Sequence, residues 1–453
     1  MEFNLDELVE KYKDDAFDLL KRLISHASVL DEYKKDSDAP FGIENKKALE
    51  ELLNQGKKDG FIVKNVDNYA GHIEYGSGDE ALGILAHLDV VPVKKDEWVT
   101  DPFKLEIKGD KMYARGSLDD KGPLVASYIA LRILKDLGFK PNKTIRLIAG
   151  CDEESGSRCL ERYFEKEKKP EYGFSPDADF PLIYGEKAMM SYDILGDVSD
   201  DVIDEFICGD RYNIVPSIAK AKLKINLDNE FKKYLSDNKL DGEIKDGYLI
   251  CYGRASHGAF PQNGVNSAYL LFEFLKKNTN SKLAKFFDEY FLGDVYGKKL
   301  GYAIKDEEMG DLTSNLAIVM IKDNKLKIGV NCRVPVDSGL DLIENKIDLA
   351  TKKYNYSYKI VSKSNRHYVP KDSFLVKSLM SAYQEVTGDY KNGPITIGGG
   401  TYARELKNAV AFGALMPGRE DVCHIANEYM YIDDFINAIK VYVVAIYNLC
   451  KWD

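Results

Sequence analysis

At 453 residues the chain exceeds what one ordinary hydrophobic core organises, so two or three domains are expected. Hydrophobic residues at 44% and charged residues at 30% describe a water-soluble globular protein. A formal net charge of −11 argues against nucleic acid or an anionic membrane surface as the main partner, because both select basic patches.

The opening stretch Met1-Glu2-Phe3-Asn4-Leu5-Asp6-Glu7 is acidic and lacks a basic-then-apolar leader. No apolar run approaches the roughly 18 residues that a membrane-spanning helix needs. The seven cysteines are widely spaced and form no CxxC pair, which fits reduced thiols and a cytoplasmic location.

Apolar positions at Leu8, Tyr12, Phe17, Leu20 and Leu23 predict a helix over Leu5–Leu23, and a second is expected over Glu44–Lys58. The pattern then turns strand-like at Phe61–Val63, His72–Tyr75 and Ala81–Ala86. The last is a continuous apolar run, as in a strand buried on both faces. A short strand at Lys111–Ala114 precedes a helix from Gly122-Pro123 to about Leu137, with Gly138 as its stop. Thr144–Ala149 is the next buried strand. Strands alternating with helices imply a mixed, largely parallel sheet with flanking helices, an α/β fold that binds ligands outside the carboxyl ends of its strands.

From about Glu186 the texture becomes that of a separate α+β domain, with strands at Ala221–Asn226, Gly247–Cys251 and Leu326–Val330 and a helix at Ser267–Lys277. Near Tyr368 the chain returns to the first domain, with a helix over Phe374–Thr387, a buried strand at Ala409–Leu415 and a helix over Ile432–Leu449. The expected organisation is a catalytic domain in two parts, 1–185 and 368–453. An inserted lid domain occupies 186–367 and is long enough for two lid-like halves.

Metal-ligand residue types gather where the α/β pattern places strand ends. His87-Leu88-Asp89 follows the Ala81–Ala86 run, Asp119-Asp120 follows Lys111–Ala114, and Glu153-Glu154 follows Thr144–Ala149. Asp177 and, far downstream, His424 complete the set. Taken singly, each has a bland reading: a loop histidine, a solvated acidic turn, acids complementing a helix dipole. Two imidazoles with several carboxylates suit a pair of divalent metals, and a two-metal hydrolase gives every position a use. In that reading Asp89 orients His87, a carboxylate at Asp119-Asp120 bridges the ions, and one of Glu153 and Glu154 binds metal while the other takes a proton from water. His26, His72 and His367 read as structural or exposed. Cys151 beside the acid pair has no paired base that would make it a nucleophile.

These stretches together resemble the M20 metallopeptidase family, and within it the bacterial dipeptidases of the PepV type, which include Xaa-His dipeptidases. The matching segments are Leu85–Pro92, Trp98–Phe103, Ala114–Pro123, Asp152–Ser157, Tyr212–Pro216, Ser256-His257-Gly258, Asn331-Cys332-Arg333, Gly398–Arg404 and His424–Glu428. The resemblance implies that His87 and Asp177 bind one metal, that Glu154 and His424 bind the other, and that Asp119 bridges them. It makes Glu153 the general base and Asp89 the partner of His87. It also marks Asp119-Asp120 as a candidate cis peptide. In the inserted domain it gives His257 to the developing oxyanion and Asn213 and Arg333 to the substrate carboxylate. Gly398, Gly399 and Gly400 would offer backbone amides. By spacing alone, His257 reads as a surface histidine, Asn213 as a strand-end asparagine and Arg333 as a solvated arginine.

The expected function is hydrolysis of dipeptides and short peptides with a free C-terminal carboxylate by a monomer holding two divalent ions. The donor set suits zinc, with manganese or cobalt as alternatives. Neither nucleic acid nor membrane is an expected partner. A deacylase of N-acyl-amino acids or a desuccinylase would share the same centre. A catalytically silent peptide-binding protein would have no use for Glu153.

Overall fold

The computed structural model describes residues 4–198 and 202–451. The chain forms two compact units, one from Met1–Gly185 with His367–Ile395 and Gly400–Asp453, the other from Glu186–Arg366 with Thr396–Gly399.

The first unit is a mixed α/β structure. Its sheet runs in the order Ile62–Val66, Ala70–Tyr75, Thr144–Gly150, Ala81–His87, Tyr172–Ser175, Ala409–Ala411, Ile183–Glu186 and His367–Tyr368. The centre is parallel: Ala81–His87 pairs in parallel with both Thr144–Gly150 and Tyr172–Ser175, with His87 in register with Gly150. Antiparallel strands flank it. The apolar run of Ala81–His87 is buried from Leu82 onward, as a strand covered on both faces requires. His72 and Ile73 show that covering directly, because successive side chains on a strand point to opposite faces. His72 Nδ1 lies 2.7 Å from the Tyr163 hydroxyl on helix Arg158–Lys166. Ile73 instead packs at Gly56 on helix Ile43–Lys58. Helices Lys121–Asp136 and Ile432–Cys450 pack on each other and bury most of their residues.

Two expected elements are divided. The N-terminal helix is two helices, Leu5–Glu10 and Lys13–Ile24, because the Tyr12 amide bonds back only to Val9 (2.9 Å) while its hydroxyl reaches Asp136 (3.0 Å). The strand expected over Ala409–Leu415 breaks into Ala409–Ala411 and Ala414–Leu415. Between them Gly413 takes a φ of +85°, and a Cβ there would lie 2.3 Å from the Phe180 ring, so only glycine fits.

The second unit is an antiparallel α+β structure. Its sheet order is Gly242–Lys245, Tyr248–Tyr252, Ile218–Leu223, Ile203–Cys208, Thr313–Lys322, Lys325–Val334, Ala188–Asp197 and Ser357–Ser364. Ile218–Leu223 alternates exposed and buried positions at its start, so one face meets the core. There Phe206 stacks on Phe272 of helix Ser267–Asn278 at 4.6 Å between ring centroids. Helix Ser338–Lys353 packs on the edge strand Ser357–Ser364 and buries Leu340, Ile343 and Ile347.

Candidate metal centre

The parallel centre of the first unit delivers its ligands by geometry. Ala81–His87, Thr144–Gly150 and Tyr172–Ser175 run the same way, so His87, the Asp152-Glu153-Glu154 turn and Asp177 emerge at the same end of the sheet. The loop before helix Lys121–Asp136 brings Asp119, and the loop before strand Tyr429–Tyr431 brings His424. Two ligand triads result, His87–Asp119–Asp177 and Asp119–Glu154–His424, each with its donor atoms within 4.8 Å of one another. Asp119 belongs to both. One of its oxygens lies 3.0 Å from His87 Nε2 and the other 2.8 Å from His424 Nε2. Asp177 approaches His87 Nε2 at 3.4 Å, and Glu154 approaches His424 Nε2 at 3.1 Å.

Backbone hydrogen bonds hold these side chains in place. His87 Nδ1 lies 2.9 Å from the backbone carbonyl of Asp89 and 3.5 Å from its carboxylate. A carbonyl only accepts, so Nδ1 carries the proton and Nε2 keeps its lone pair, the form that binds metal. The Asp89 carboxylate instead accepts the amides of Glu153 and Glu154, both at 3.0 Å. Asp152 fixes the other side of that turn by accepting the Arg158 guanidinium at 2.6 and 2.7 Å. Asp120 is fully buried, accepts the His87 amide at 2.9 Å, and follows Asp119 through a cis peptide.

The donors fit divalent ions. His87 Nε2 is buried and makes no hydrogen bond, although two carboxylates face it. A lone pair aimed at carboxylates is repulsive unless a cation stands between them. Burial, and then the neighbouring acids, raise Glu154 and Asp177 above the usual carboxylate range. Burial pushes Glu153 up well above it. His424 is pushed up to about 11 by its bonds to Asp119 and Glu154, against the opposing effect of burial. Without bound ions the cluster therefore demands positive charge, and mixed imidazole and carboxylate donors suit zinc, manganese or cobalt.

Of the other sequence-identified residues, Asn213, His257, Arg333, Gly398 and Gly399 lie in the second unit, and Gly400 opens the last segment of the first. The Gly258 amide donates to the Asn213 carbonyl at 2.6 Å, and a Cβ on Gly258 would lie 2.9–3.0 Å from the Asn213 backbone. His257 and Asn213, 44 positions apart, are thus held side by side. The Ala259 amide donates to His257 Nδ1 at 3.3 Å, leaving Nε2 to carry the ring proton as a donor. Arg333 is buried; its Nε donates to Asn331 Oδ1 at 2.9 Å and its Nη1 to the Gly398 carbonyl at 2.8 Å. Thr313, in register with Arg333, donates to the Ala259 carbonyl at 3.2 Å and so ties Arg333 to the His257 loop. At Gly398 the engaged group is a carbonyl, and a Cβ on Gly400 would meet the Arg404 guanidinium at 2.5 Å.

The family model for Peptidase family M20/M25/M40 matches residues 83–448. The chain belongs to that family. A relative from Staphylococcus epidermidis named "Putative dipeptidase" is 38% identical over 99% of each chain. Among solved structures, human carnosine dipeptidase 1 aligns with a TM-score of 0.62 at 17% identity over 98% of each chain. Aminoacylhistidine dipeptidase from Vibrio alginolyticus aligns with a TM-score of 0.57 at 14% identity over 97% of each chain. At those identities the structures speak for the fold. Membership identifies the chain as a metallopeptidase-type hydrolase, and no helix among the described residues is long and apolar enough to cross a membrane.

Sequence reading gave no role to several residues of the family centre. Arg115 and Glu428 lie inside the matching motifs without an assigned role, whereas Asp120 is singled out only together with Asp119, as a bridging carboxylate and a candidate cis peptide. Lys121 is fully buried and donates to the carbonyls of Leu23 and His26 at 2.9 and 2.8 Å. Ser28 donates to the Leu88 carbonyl at 2.6 Å. The only sequence signal for Arg115, Glu428 and Lys121 was their place inside a matching motif; Ser28 had none.

Proposed function

We propose that the protein is a dipeptidase that uses two divalent ions, zinc by donor type, to hydrolyse dipeptides and short peptides carrying a free C-terminal carboxylate. The observation that carries this reading is the pair of triads sharing Asp119, with Glu153 beside them on the turn that also supplies Glu154. His87 and Asp177 would hold one ion, Glu154 and His424 the other, with Asp119 shared between them. Ions bound there would supply Lewis acidity, polarising the scissile carbonyl and lowering the pKa of the attacking water. Glu153, held above the usual carboxylate range by burial, takes the proton from that water and returns it to the leaving amine. Asp89 keeps His87 in its metal-binding tautomer and aims the acid turn.

The second unit acts as a lid in this reading. His257 donates from Nε2 to the oxyanion, a role its Nδ1 contact supports. Arg333 and Asn213 grip the substrate carboxylate, and the Gly398–Gly400 loop lines that end. A peptide extended at its C-terminus then carries its carboxylate farther from the scissile bond than Arg333 demands. The name of the Staphylococcus epidermidis relative favours peptides over N-acyl-amino acids as substrates.

The protein works as a monomer. The second unit's sheet supports this, since it joins two strand groups through Ile203–Cys208 and Thr313–Lys322, enough for two lid-like halves. The chain's seven free cysteines, six of them buried, support a reducing compartment such as the cytoplasm. The test is a panel of dipeptides, their C-terminal amides and N-acyl-amino acids assayed with zinc, manganese and cobalt. Cleavage of free dipeptides alone supports the reading, and turnover confined to N-acyl-amino acids overturns it. Light scattering on active enzyme should give a mass near 51.2 kDa rather than twice that.

A further inference from the structure

We infer that Glu428 is the positioning residue that sets the affinity of both ion sites at once, by bolting the Asp119 loop to the His424 loop. The inference rests on the two-ion reading above. Glu428 is completely buried. One carboxylate oxygen accepts three amides of that loop, Gly116 at 3.0 Å, Leu118 at 2.9 Å and Asp119 at 3.2 Å. The other accepts Arg115 Nη1 at 2.6 Å. Arg115 Nη2 in turn donates to the Ile425 carbonyl at 3.3 Å, one residue beyond His424.

The backbone of Glu428 is anchored as well. Its carbonyl accepts the Ala114 amide at 3.1 Å, and the next residue, Tyr429, pairs with Tyr113. The segment from His424 to Glu428 is short and bent, with left-handed backbone at His424 and Asn427, both at φ +64°. Asn427 completes the loop by accepting the Val99 amide at 2.8 Å. One side chain therefore holds the amide of the shared ligand Asp119 while its own backbone fixes the loop that ends in His424. Asp119 is common to both triads, so loss of this bolt disturbs both, whereas loss of a ligand such as Asp177 touches one.

A buried carboxylate accepting three amides and a guanidinium could serve stability alone, and the two roles separate on metal affinity in the absence of substrate. Metal-free protein is titrated with zinc against a chromophoric chelator, and folding is followed by circular dichroism. Glu428→Ala should fold and weaken both binding steps together, by about 10–100-fold, the usual cost of losing a partner that orients ligands. Glu428→Gln, which keeps one acceptor oxygen, should recover part of that loss. If Glu428→Ala does not fold because Arg115 is left unpaired, the charge-free pair Arg115→Met with Glu428→Met is read instead. Unchanged affinities in a folded variant, weakening of one step only, or collapse of both variants would each overturn the inference. Failure of the wild-type chain to bind two zinc ions would instead refute the two-ion reading on which it stands.

Discussion

In the first unit three candidate ligands and the candidate base sit on backbone that a buried side chain holds from below: Asp89 under Glu153 and Glu154, Asp120 under His87, Glu428 under Asp119. In the second unit Asn213 and His257 stand exposed on loops, and main-chain contacts hold them, with Arg333 alone buried and braced by a side chain. The contrast matches two tasks. Ligands of a dication must stay within a fraction of an ångström while like charges push them apart, and that takes charged supports in a dry site. Groups that grip a substrate carboxylate need correct placement only while the substrate is present, and exposed loops suffice.

If the first unit is the rigid half, the largest effect belongs to its shared ligand. Asp119→Asn should bind neither ion tightly and reduce turnover to background, measured by elemental analysis together with a dipeptide assay. Retention of both ions would end the bridging role. Next in size, Glu153→Gln should keep both ions and lose about 10²–10⁴-fold in kcat, since a positioned base contributes that much. Loss of an ion in this variant would instead exchange the roles of the two acids.

The second unit should behave differently. Arg333→Ala should leave metal content untouched and lower kcat/KM for free dipeptides by about 10- to 150-fold, the worth of a charge-assisted bond of about 1.5–3 kcal/mol. The variant should also stop distinguishing a free dipeptide from its amide. A changed metal content would show that the two units are not divided in this way.

The smallest effect tests the sheet beneath the centre. Burial lowers His72 from 6.5 to about 4. Below pH 6.5 the unfolded chain therefore binds a proton that the folded chain refuses until about pH 4, and stability falls as pH falls through that window. On metal-free protein, wild type should lose about 2 kcal/mol more than His72→Gln between about pH 7 and about pH 5. Parallel pH profiles would contradict the buried neutral state of His72.

What could be read from sequence follows the same division. Ala81–Ala86 and Thr144–Ala149 announce themselves because strands buried on both faces are continuously apolar, and the acids and histidines after them stand at the ends of such runs. The Ala409–Leu415 run misled because the break at Gly413 is imposed by Phe180, more than two hundred residues away, and no local pattern carries that. His257, Asn213 and Arg333 came only from resemblance, since nothing in their neighbourhoods shows that Gly258 meets the Asn213 backbone or that Thr313 lies opposite Arg333. Glu428 stayed silent for a related reason: a support beneath a ligand has the composition of any polar loop.

The most direct test of the two-ion centre is anomalous X-ray scattering at the zinc edge from crystals of the zinc-loaded protein. The account predicts two peaks flanking the Asp119 carboxylate, one among His87, Asp119 and Asp177 and one among Asp119, Glu154 and His424. A single peak, or peaks away from Asp119, would contradict it.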